Sequence, residues 1–377
     1  MEYKLYATCP DELTGLLANE ISALGGKDVR TAYRVVYFSA AAEVYYRVHL
    51  CSRLASRIYR IIKEIPAHSP NIVFDKARRI RFHELFSPEV AVGIEVVAAH
   101  EEGLLANHLI GSKLREAVND CFQHHRKVLP NQSSRNAAIG ITGYLHGRRL
   151  MVSIDSSGES LHRRGFRLEG HPAPLKETLA AALLAICGYD GTSAFYDPMC
   201  GSGTIVLEAA LLASHRAPGI NRQKGSFGFE HLLDFDPGLW QAVRSQAQAE
   251  ERPPLAGLFA SDIDPRFIEL TRKSADKARL KNLIHWETRD FFRTEKPAAR
   301  GLLVTNIPYG LRLEGREPDQ AFMRALGDHF KQHFQGWRCG ILAPVSAPLK
   351  EIGLKPNKQV PLVNGTVPVK FLVFDIY

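Results

Sequence analysis

Helix-like and strand-like patterns alternate along the second half of the chain, and this alternation restricts the possible fold more than any other feature. The patterns predict strands at 194–197, 255–262, 283–289 and 301–305, and helices at 175–186, 204–214 and 265–278. Two later strand patterns follow at 340–344 and 369–376. Because strands that alternate with helices form a parallel sheet covered on both faces, we predict a doubly wound α/β domain.

The first half has a different, mixed order of elements. Its patterns predict strands at 34–38, 90–98, 137–146 and 149–155, and helices at 12–24, 41–57 and 108–123. Residues 156–174 are rich in Gly, Ser, Arg, His and Pro and lack apolar periodicity, which is typical of a linker. A chain of 377 residues is long enough for two or three domains, so we expect a domain boundary near 160–172.

Composition and charge narrow the class of protein. Hydrophobic residues make up 45% of the chain and charged residues 23%, as in globular domains. Lys and Arg outnumber Asp and Glu by 48 to 40, and the first 165 residues hold 22 of these cations against 17 of the anions. A basic excess concentrated in the shorter half favours a polyphosphate partner such as nucleic acid.

Membrane, secretion and metal signals are weak. The longest apolar stretch, 179–187, is too short to span a bilayer, and the N-terminal residues have no signal-peptide core. We therefore expect a soluble, cytoplasmic protein without a membrane partner. The six cysteines form no Cys-x-x-Cys pair, and we identify no histidine at ligand spacing beside them, so we expect reduced thiols and no metal site. The oligomeric state is left open.

The most informative motif, Asp-Pro-Met-Cys-Gly-Ser-Gly-Thr at 197–204, lies between a predicted strand and a predicted helix. Gly201 and Gly203 would let the backbone approach a ligand, and the helix that follows offers free N–H groups. Asp197 precedes the glycines, where a carboxylate repels a pyrophosphate but attracts a cation such as the ammonium group of S-adenosylmethionine (AdoMet). The third glycine of a dinucleotide site is missing and no Gly-Lys-Ser/Thr follows, which disfavours a dehydrogenase and a P-loop enzyme.

Acidic residues end the next two strands. Asp262 can accept hydrogen bonds from both hydroxyls of a ribose, whereas Asp264 fits a helix N-cap ahead of Pro265. The distance from the glycine loop to this strand predicts an insertion over 217–254. Asp290 can accept from an adenine amino group and Phe291 can cover the ring, although an Asp after a strand also forms turns.

The fourth strand ends in Asn-Ile-Pro-Tyr at 306–309. An exocyclic base amine is a poor nucleophile because its lone pair is delocalised into the ring. The Asn306 amide oxygen and the Ile307 carbonyl can accept its N–H bonds and localise that lone pair. Pro308 favours an extended Ile307, and Tyr309 offers a stacking face for an extruded base. Cys200 lies in the glycine loop, away from this motif, so we predict a packing role for it.

Together these motifs resemble the THUMP-domain class I RNA methyltransferases, specifically the bacterial large-subunit rRNA guanine-N2 type. Two further segments carry the resemblance, Asp-Ser-Ser-Gly-Glu-Ser-Leu-His-Arg-Arg-Gly-Phe-Arg at 155–167 and Ala-Pro-Leu-Lys-Glu-Thr-Leu-Ala at 173–180. The resemblance covers nearly the whole chain and implies AdoMet as cofactor and ribosomal RNA as partner. It also implies four units: a ferredoxin-like subdomain over 1–55, a THUMP RNA-binding subdomain over 56–160, a linker over 161–172 and a Rossmann-like methyltransferase domain over 173–377.

The resemblance also implies residue roles. AdoMet is expected to contact the glycine loop and the two following strand ends, at Asp197, Pro198, Gly201, Gly203, Asp262, Asp290 and Phe291. The target amine is expected at residues 306–309. Apart from the resemblance, two basic groups are expected to contact RNA. They are Lys76, Arg78, Arg79 and Arg81 in the first half, for which a solvated helix face is the alternative, and Arg163, Arg164 and Arg167 in the linker.

Ile307 stands where the commonest version of the family's motif has proline. Motifs of this shape serve adenine N6 as well as guanine N2, so methylation of adenine N6 in RNA or DNA is an alternative. A non-catalytic RNA-binding assembly factor on the same fold is another, which the intact Asp197, Asp262 and Asn306 disfavour. The chain resembles only the first half of fused proteins that carry a second such activity, so we expect no second methylation chemistry.

Overall fold

The computed structural model describes residues 2–98, 104–133, 137–168, 175–308 and 318–377, and its strands form two seven-stranded sheets. The N-terminal sheet has the order β2-β3-β1-β4-β7-β6-β5. Its strands are β1 (Glu2–Thr8), β2 (Lys27–Ala32), β3 (Val35–Ala41), β4 (Arg57–Pro66), β5 (Val92–Ala98), β6 (Ile139–His146) and β7 (Arg149–Asp155). The helices of this half are α1 (Thr14–Ala23), α2 (Ala42–Cys51), α3 (Pro70–Ala77) and α4 (Leu104–Arg126).

The first four strands with α1 and α2 form a β-α-β-β-α-β unit, which is a ferredoxin-like fold. Alternate residues of β3 (Val36, Phe38 and Ala40) are buried, as expected of a strand with one face on a core. β4 pairs with β1 on one side and with β7 on the other. The expected boundary at residue 55 therefore falls just before a strand that joins both N-terminal units in one sheet.

The C-terminal sheet has the order β10-β9-β8-β11-β12-β14-β13, in which the first five strands are parallel and the last two antiparallel. Its strands are β8 (Ala194–Asp197), β9 (Leu258–Asp262), β10 (Ile284–Thr288), β11 (Gly301–Asn306), β12 (Trp337–Pro344), β13 (Lys358–Asn364) and β14 (Val367–Asp375). The helices are α5 (Glu177–Ile186), α6 (Thr204–Ala213), α7 (Pro237–Ala249), α8 (Pro265–Lys277) and α9 (Gln320–His333). This is the predicted Rossmann-like fold, and its strand order reverses at β8, where such folds bind ligands.

Several element boundaries differ from the predictions. The helix predicted over 41–57 ends at Cys51, because Arg57 already begins β4. The sequence analysis did not predict β1, β2, β4, β13, α3 or α9. The insertion over 217–254 contains α7, whose N-terminus is capped by the Asp236 side chain. Among the described residues, no helix is long and apolar enough to cross a membrane.

The segment predicted as a linker is packed between the two halves over its described part, 156–168. Leu161 and Phe166 are buried in the hydrophobic core. Gly158 and Gly165 have positive φ, and a Cβ on either would lie 2.5 Å from a backbone oxygen of the insertion. The lack of apolar periodicity therefore reflects a tightly fitted, irregular segment.

Candidate active site and interdomain cleft

Four predicted site residues lie at one edge of the C-terminal sheet. Asp197, Asp262 and Asn306 are the last residues of β8, β9 and β11, and Asp290 follows β10 by two positions. These strands are parallel and adjacent in the order β10-β9-β8-β11. Their carboxyl ends therefore present three carboxylates and one amide along a single edge.

The glycine loop joins β8 to α6 in the predicted strand-turn-helix arrangement. Gly201 and Gly203 have φ of 50° and 70°, and the loop is held by the Cys200 N–H, which donates to the Ser261 carbonyl at 2.9 Å. A Cβ on Gly203 would lie 2.0 Å from Cγ2 of Thr271 on α8. Glycine at 203 is thus required by the left-handed backbone and by packing against α8, a second reason that the sequence did not indicate.

Asp262 is tied directly to the glycine loop. One of its carboxylate oxygens accepts from the Gly201 N–H at 2.8 Å and the other from the Asp264 N–H at 3.0 Å. A carboxylate has about four lone-pair sites and only accepts, which is the chemistry that ribose hydroxyls require. Asp264 caps α8 by accepting from the Arg266 N–H, which confirms its predicted N-cap role.

Of the two residues expected at the adenine, Phe291 is buried and Asp290 lies at the sheet edge. Phe291 is 3% exposed and packs against His329, Phe330 and Phe334, so its ring is not available to cover a base. Asp290 accepts from the Phe292 N–H at 3.1 Å and thus forms the local turn that was the alternative interpretation.

Two exposed apolar residues at the same edge were missed by the sequence analysis. Ile263, directly after Asp262, is 70% exposed, and Phe292, directly after Phe291, is 37% exposed. β9 and β10 pair with Asp262 opposite Thr288, so both side chains follow neighbouring strand ends. An apolar residue next to a strand-end acid is the signal that could have identified Ile263.

The motif predicted to bind the amine begins at the end of β11. Asn306 is buried at the end of β11, and the Ile307 N–H donates to the Leu342 carbonyl of β12 at 3.2 Å. The Ile307 side chain is fully buried in a hydrophobic cluster that includes residues of α9 and β12, and Pro308 is half-buried. Tyr309 lies outside the described residues. Cys200 is buried in the main core, in keeping with the packing role predicted for it.

The residues at this edge fit AdoMet in chemical type. Carboxylates suit its ammonium group and ribose hydroxyls, and Ile263 offers apolar surface for its adenine. The Asp197 carboxylate is buried at the start of the loop, ahead of the N-terminus of α6, whose N-cap is Gly203.

A cleft of about 1770 Å³ lies between the two halves of the chain. Its walls come from β5 and β6, from the segment 155–168, from the insertion, from the start of α5 and from the end of α8. Among the residues that the structure describes, four acidic and eight basic ones line it, the basic ones being Arg57, Arg115, Arg163, Arg164, Arg167, Arg222, Lys224 and Lys277. Five of these eight cations were missed, because they are far apart in the sequence.

The predicted RNA-contact residues divide into three groups. Arg163 lines the cleft with a side chain that is 65% exposed, and Arg167 lines it with a partly buried one. Arg78, Arg79 and Arg81 are exposed and Lys76 is half-buried, at the end of α3 and in the turn after it. This second group does not line the cleft.

Arg164 borders the cleft, but its side chain is buried in the core. Its guanidinium pairs with Glu208 of α6 at 3.1 Å, with the two side chains 1% and 0% exposed. It also donates to the carbonyls of Leu161, Ser52 and Arg53. The residue therefore ties the N-terminal half to the C-terminal domain, and this position removes it from the RNA contacts predicted above.

Arg167 connects the cleft to the glycine loop. Its guanidinium donates to Oγ1 of Thr204 at 2.9 Å and to the Leu175 carbonyl at 2.8 Å, and it lies 3.1 Å from the Glu177 carboxylate. Burial raises the pKa of Glu177 to about 7, an effect that the nearby Arg167 partly offsets. A group that faces the cleft thus contacts the first residue of α6.

One cluster contradicts the expectation that no histidine lies at ligand spacing from a cysteine. Cys121 and His125 are one turn apart on α4, and their ligand atoms lie within 4.8 Å of each other and of His83. The rings of His83 and His125 are stacked, however, at 4.0 Å and 14°. A metal ion lies near the plane of each imidazole that binds it, and two parallel planes share no such point. We therefore assign no metal role to this cluster.

Known protein families match the two halves of the chain separately. Residues 164–371 match the model of the RMKL-like methyltransferase domain, and residues 4–59 match that of the RlmL ferredoxin-like domain. A Synechocystis sp. protein provisionally named an RNA methyltransferase is 34% identical over 99% of this chain and 96% of its own length. Ribosomal RNA large subunit methyltransferase K/L of Cellvibrio japonicus is 33% identical over 100% of this chain and 51% of its own length. The chain thus spans about half of that relative.

The similarity extends to a solved structure. The methyltransferase SMU.472, crystallised with the demethylated cofactor product S-adenosylhomocysteine, superposes with a TM-score of 0.86 and is 25% identical. The match covers 100% of this chain and 98% of that one. The similarity therefore includes both sheets and their arrangement.

Proposed function

The chain belongs to the family of RMKL-like methyltransferases, and from that premise we propose that it methylates the exocyclic N2 amine of a guanine in 23S rRNA. Its cofactor is AdoMet. The observation that carries the proposal is the arrangement of β8, β9 and β11, which sets Asn306 and the Ile307 backbone beside the glycine loop and Asp262. This arrangement suits transfer between a bound cofactor and an amine.

The chain's own residues bind and orient in this proposal. AdoMet supplies an electrophilic methyl group when bound, and we assign its ammonium group to Asp197 and its ribose to Asp262. The Asn306 amide oxygen and the Ile307 carbonyl accept the N–H bonds of the guanine amine and turn its lone pair toward the cofactor. Proximity and orientation then supply most of the rate, and no protein nucleophile is needed. Tyr309 stays the predicted stacking residue.

The RNA is assigned to the interdomain cleft. Its cations come from the N-terminal sheet, the segment 155–168, the insertion and α8, so a bound polyphosphate would contact both halves. We retain the proposed THUMP role for residues 56–160 and a methyltransferase domain beginning near 173. The names of the K/L relatives support ribosomal RNA as the partner.

The experiment is methylation of 23S rRNA transcripts by the purified chain with AdoMet, followed by nucleoside mass spectrometry. We expect N2-methylguanosine as the product. N6-methyladenosine would instead establish the adenine alternative. Binding of RNA without AdoMet binding or methylation, under conditions in which the protein is folded, would support a non-catalytic assembly factor and overturn the proposal.

Two matched variants test the division of roles. Asp262→Ala should weaken AdoMet binding, because it removes the ribose acceptor and the Gly201 N–H bond together. Asn306→Ala should reduce single-turnover methylation by at least about 100-fold, since a misplaced amine loses the oriented geometry, with AdoMet affinity within a few fold. Calorimetric AdoMet titration of both variants gives the answer, and equal loss of AdoMet affinity in both would contradict the assignment.

A further inference from the structure

His162 lies within the most basic part of the cleft. It is half-buried, it lines the cleft between the two halves, and Arg163, Arg164 and Arg167 follow it closely in sequence. A neutral imidazole can accept a hydrogen bond, whereas the arginines around it can only donate. Its protonation state and tautomer therefore decide what it can bind.

The hydrogen bonds around His162 indicate its tautomer. The Ser160 hydroxyl lies 2.8 Å from Nδ1 of His162 and 3.1 Å from the Ser56 carbonyl. A carbonyl only accepts and a hydroxyl has one proton to donate. Both contacts are hydrogen bonds only if Ser160 donates to Ser56 and the proton on the ring is at Nδ1. The opposite tautomer leaves one of the two contacts without a proton.

The surroundings keep the ring neutral. Burial, and then the positive charges of Lys176, Arg163 and Arg167, lower the pKa of His162 to about 4. At neutral pH, Nε2 is therefore an unprotonated nitrogen with an available lone pair. Within the described part of the chain, Nε2 makes no hydrogen bond, whereas Nδ1 is held by Ser160.

We propose that Nε2 of His162 is a binding site for a hydrogen-bond donor of the RNA, a ribose 2′-hydroxyl or a base N–H, in the interdomain cleft. The lone pair repels a phosphate, which the neighbouring cations attract. The site would thus place a sugar or base edge between phosphates that are held by the cleft cations such as Arg163. This inference rests on the proposed RNA substrate. If the donor is the 2′-hydroxyl, the contact distinguishes RNA from DNA, because DNA has no such hydroxyl.

The test compares His162→Phe, His162→Gln and Arg163→Ala in the full chain. His162→Phe keeps a ring of similar size without an acceptor, and Gln retains an acceptor oxygen. The probe is a 23S rRNA hairpin that carries the nucleotide methylated by the wild-type protein, and its Kd is measured at several salt concentrations. We expect His162→Phe to weaken binding about 3- to 10-fold, with a smaller loss for Gln.

Salt and pH separate this contact from a phosphate contact. The loss in His162→Phe should be the same at every salt concentration and between pH 6 and 8, because a neutral ring releases no counterions. Arg163→Ala should instead reduce the slope of log affinity against log salt by about one. A flattened slope for His162→Phe, a loss that shrinks as pH rises, or unchanged RNA affinity would each overturn the proposal.

Hairpins with single 2′-deoxy substitutions distinguish the two donors. If one deoxy hairpin binds the wild type and His162→Phe equally tightly, the donor is the 2′-hydroxyl at that position. If the wild type binds every deoxy hairpin more tightly than His162→Phe does, the donor is a base N–H. The wild-type protein is the reference for the proposed function. If it does not methylate the RNA, that function fails. If it does, while His162→Phe binds normally, only the present inference fails.

Discussion

Replacing Arg164 with methionine should destabilise the whole protein and should not act through RNA. Arg164 makes two hydrogen bonds to Glu208 and three to backbone carbonyls, in a site from which water is excluded. Removing one partner of such a buried pair costs about 3–5 kcal/mol, because the other charge is left without compensation. At about 2–4 °C per kcal/mol for a domain of this size, the melting temperature should fall on the order of 10 °C.

Two further variants isolate the cause. The double variant Arg164→Met/Glu208→Gln removes both charges and should recover much of the lost stability. Arg163→Ala changes the adjacent residue, whose side chain is 65% exposed, and should alter stability by less than about 0.5 kcal/mol. Urea unfolding followed by tryptophan fluorescence measures stability, and fluorescence anisotropy with a 23S rRNA fragment measures RNA affinity.

The RNA measurement gives the contrast that matters. Arg163→Ala should bind RNA more weakly while it unfolds like the wild type. At a temperature where both remain folded, Arg164→Met should keep its RNA affinity within about twofold. If Arg164→Met were as stable as the wild type but bound RNA several-fold more weakly, the guanidinium would reach the RNA and the argument from burial would be wrong.

Three other predictions concern the glycine loop, the sheet edge and a buried acid. Gly203→Ala should greatly reduce AdoMet affinity in calorimetry. The double variant Gly203→Ala/Thr271→Ser should recover part of that affinity, because serine lacks the clashing Cγ2 and keeps the hydroxyl that donates to the Gly201 carbonyl. A double variant no better than Gly203→Ala would contradict the packing argument. Ile307→Pro should unfold more easily than Ile307→Val by about 1–3 kcal/mol, because it deletes the N–H that pairs with Leu342; equal stability would mean that this bond is dispensable. Burial raises the Glu177 pKa from 4.5 to about 7, so the stability that the protonated acid contributes is fully present below pH 4.5 and is lost as pH rises through 7. The free energy of unfolding of the wild type, relative to that of Glu177→Gln, should then fall by about 3 kcal/mol from pH 4.5 to 8. A difference between the two proteins that does not change with pH would contradict the raised pKa.

The strand ends could be located from the sequence because each one is a local pattern. Each pattern is short: it consists of an apolar run, then a glycine or an acid, then a helical repeat. Parallel strands bring their carboxyl ends to one edge of the sheet wherever they pair. Asp197, Asp262 and Asn306 were identified in this way. The N-cap role of Asp264 was equally local, since it depends only on the residues that follow it.

The tertiary structure decided which side chains are exposed and what they contact. Phe291 and Phe292 are adjacent in sequence, and only packing against α9 determines that the first is buried and the second half-exposed. Arg163 and Arg164 are equally basic, but the second is buried against Glu208 and the carbonyls of Ser52 and Arg53, which are far away in sequence. Local pattern specifies an element and its end, whereas burial and charge pairing depend on residues that are far apart in sequence. The contact that requires a glycine at 203 besides its backbone conformation therefore comes from Thr271, and the cleft cations meet only in the folded chain.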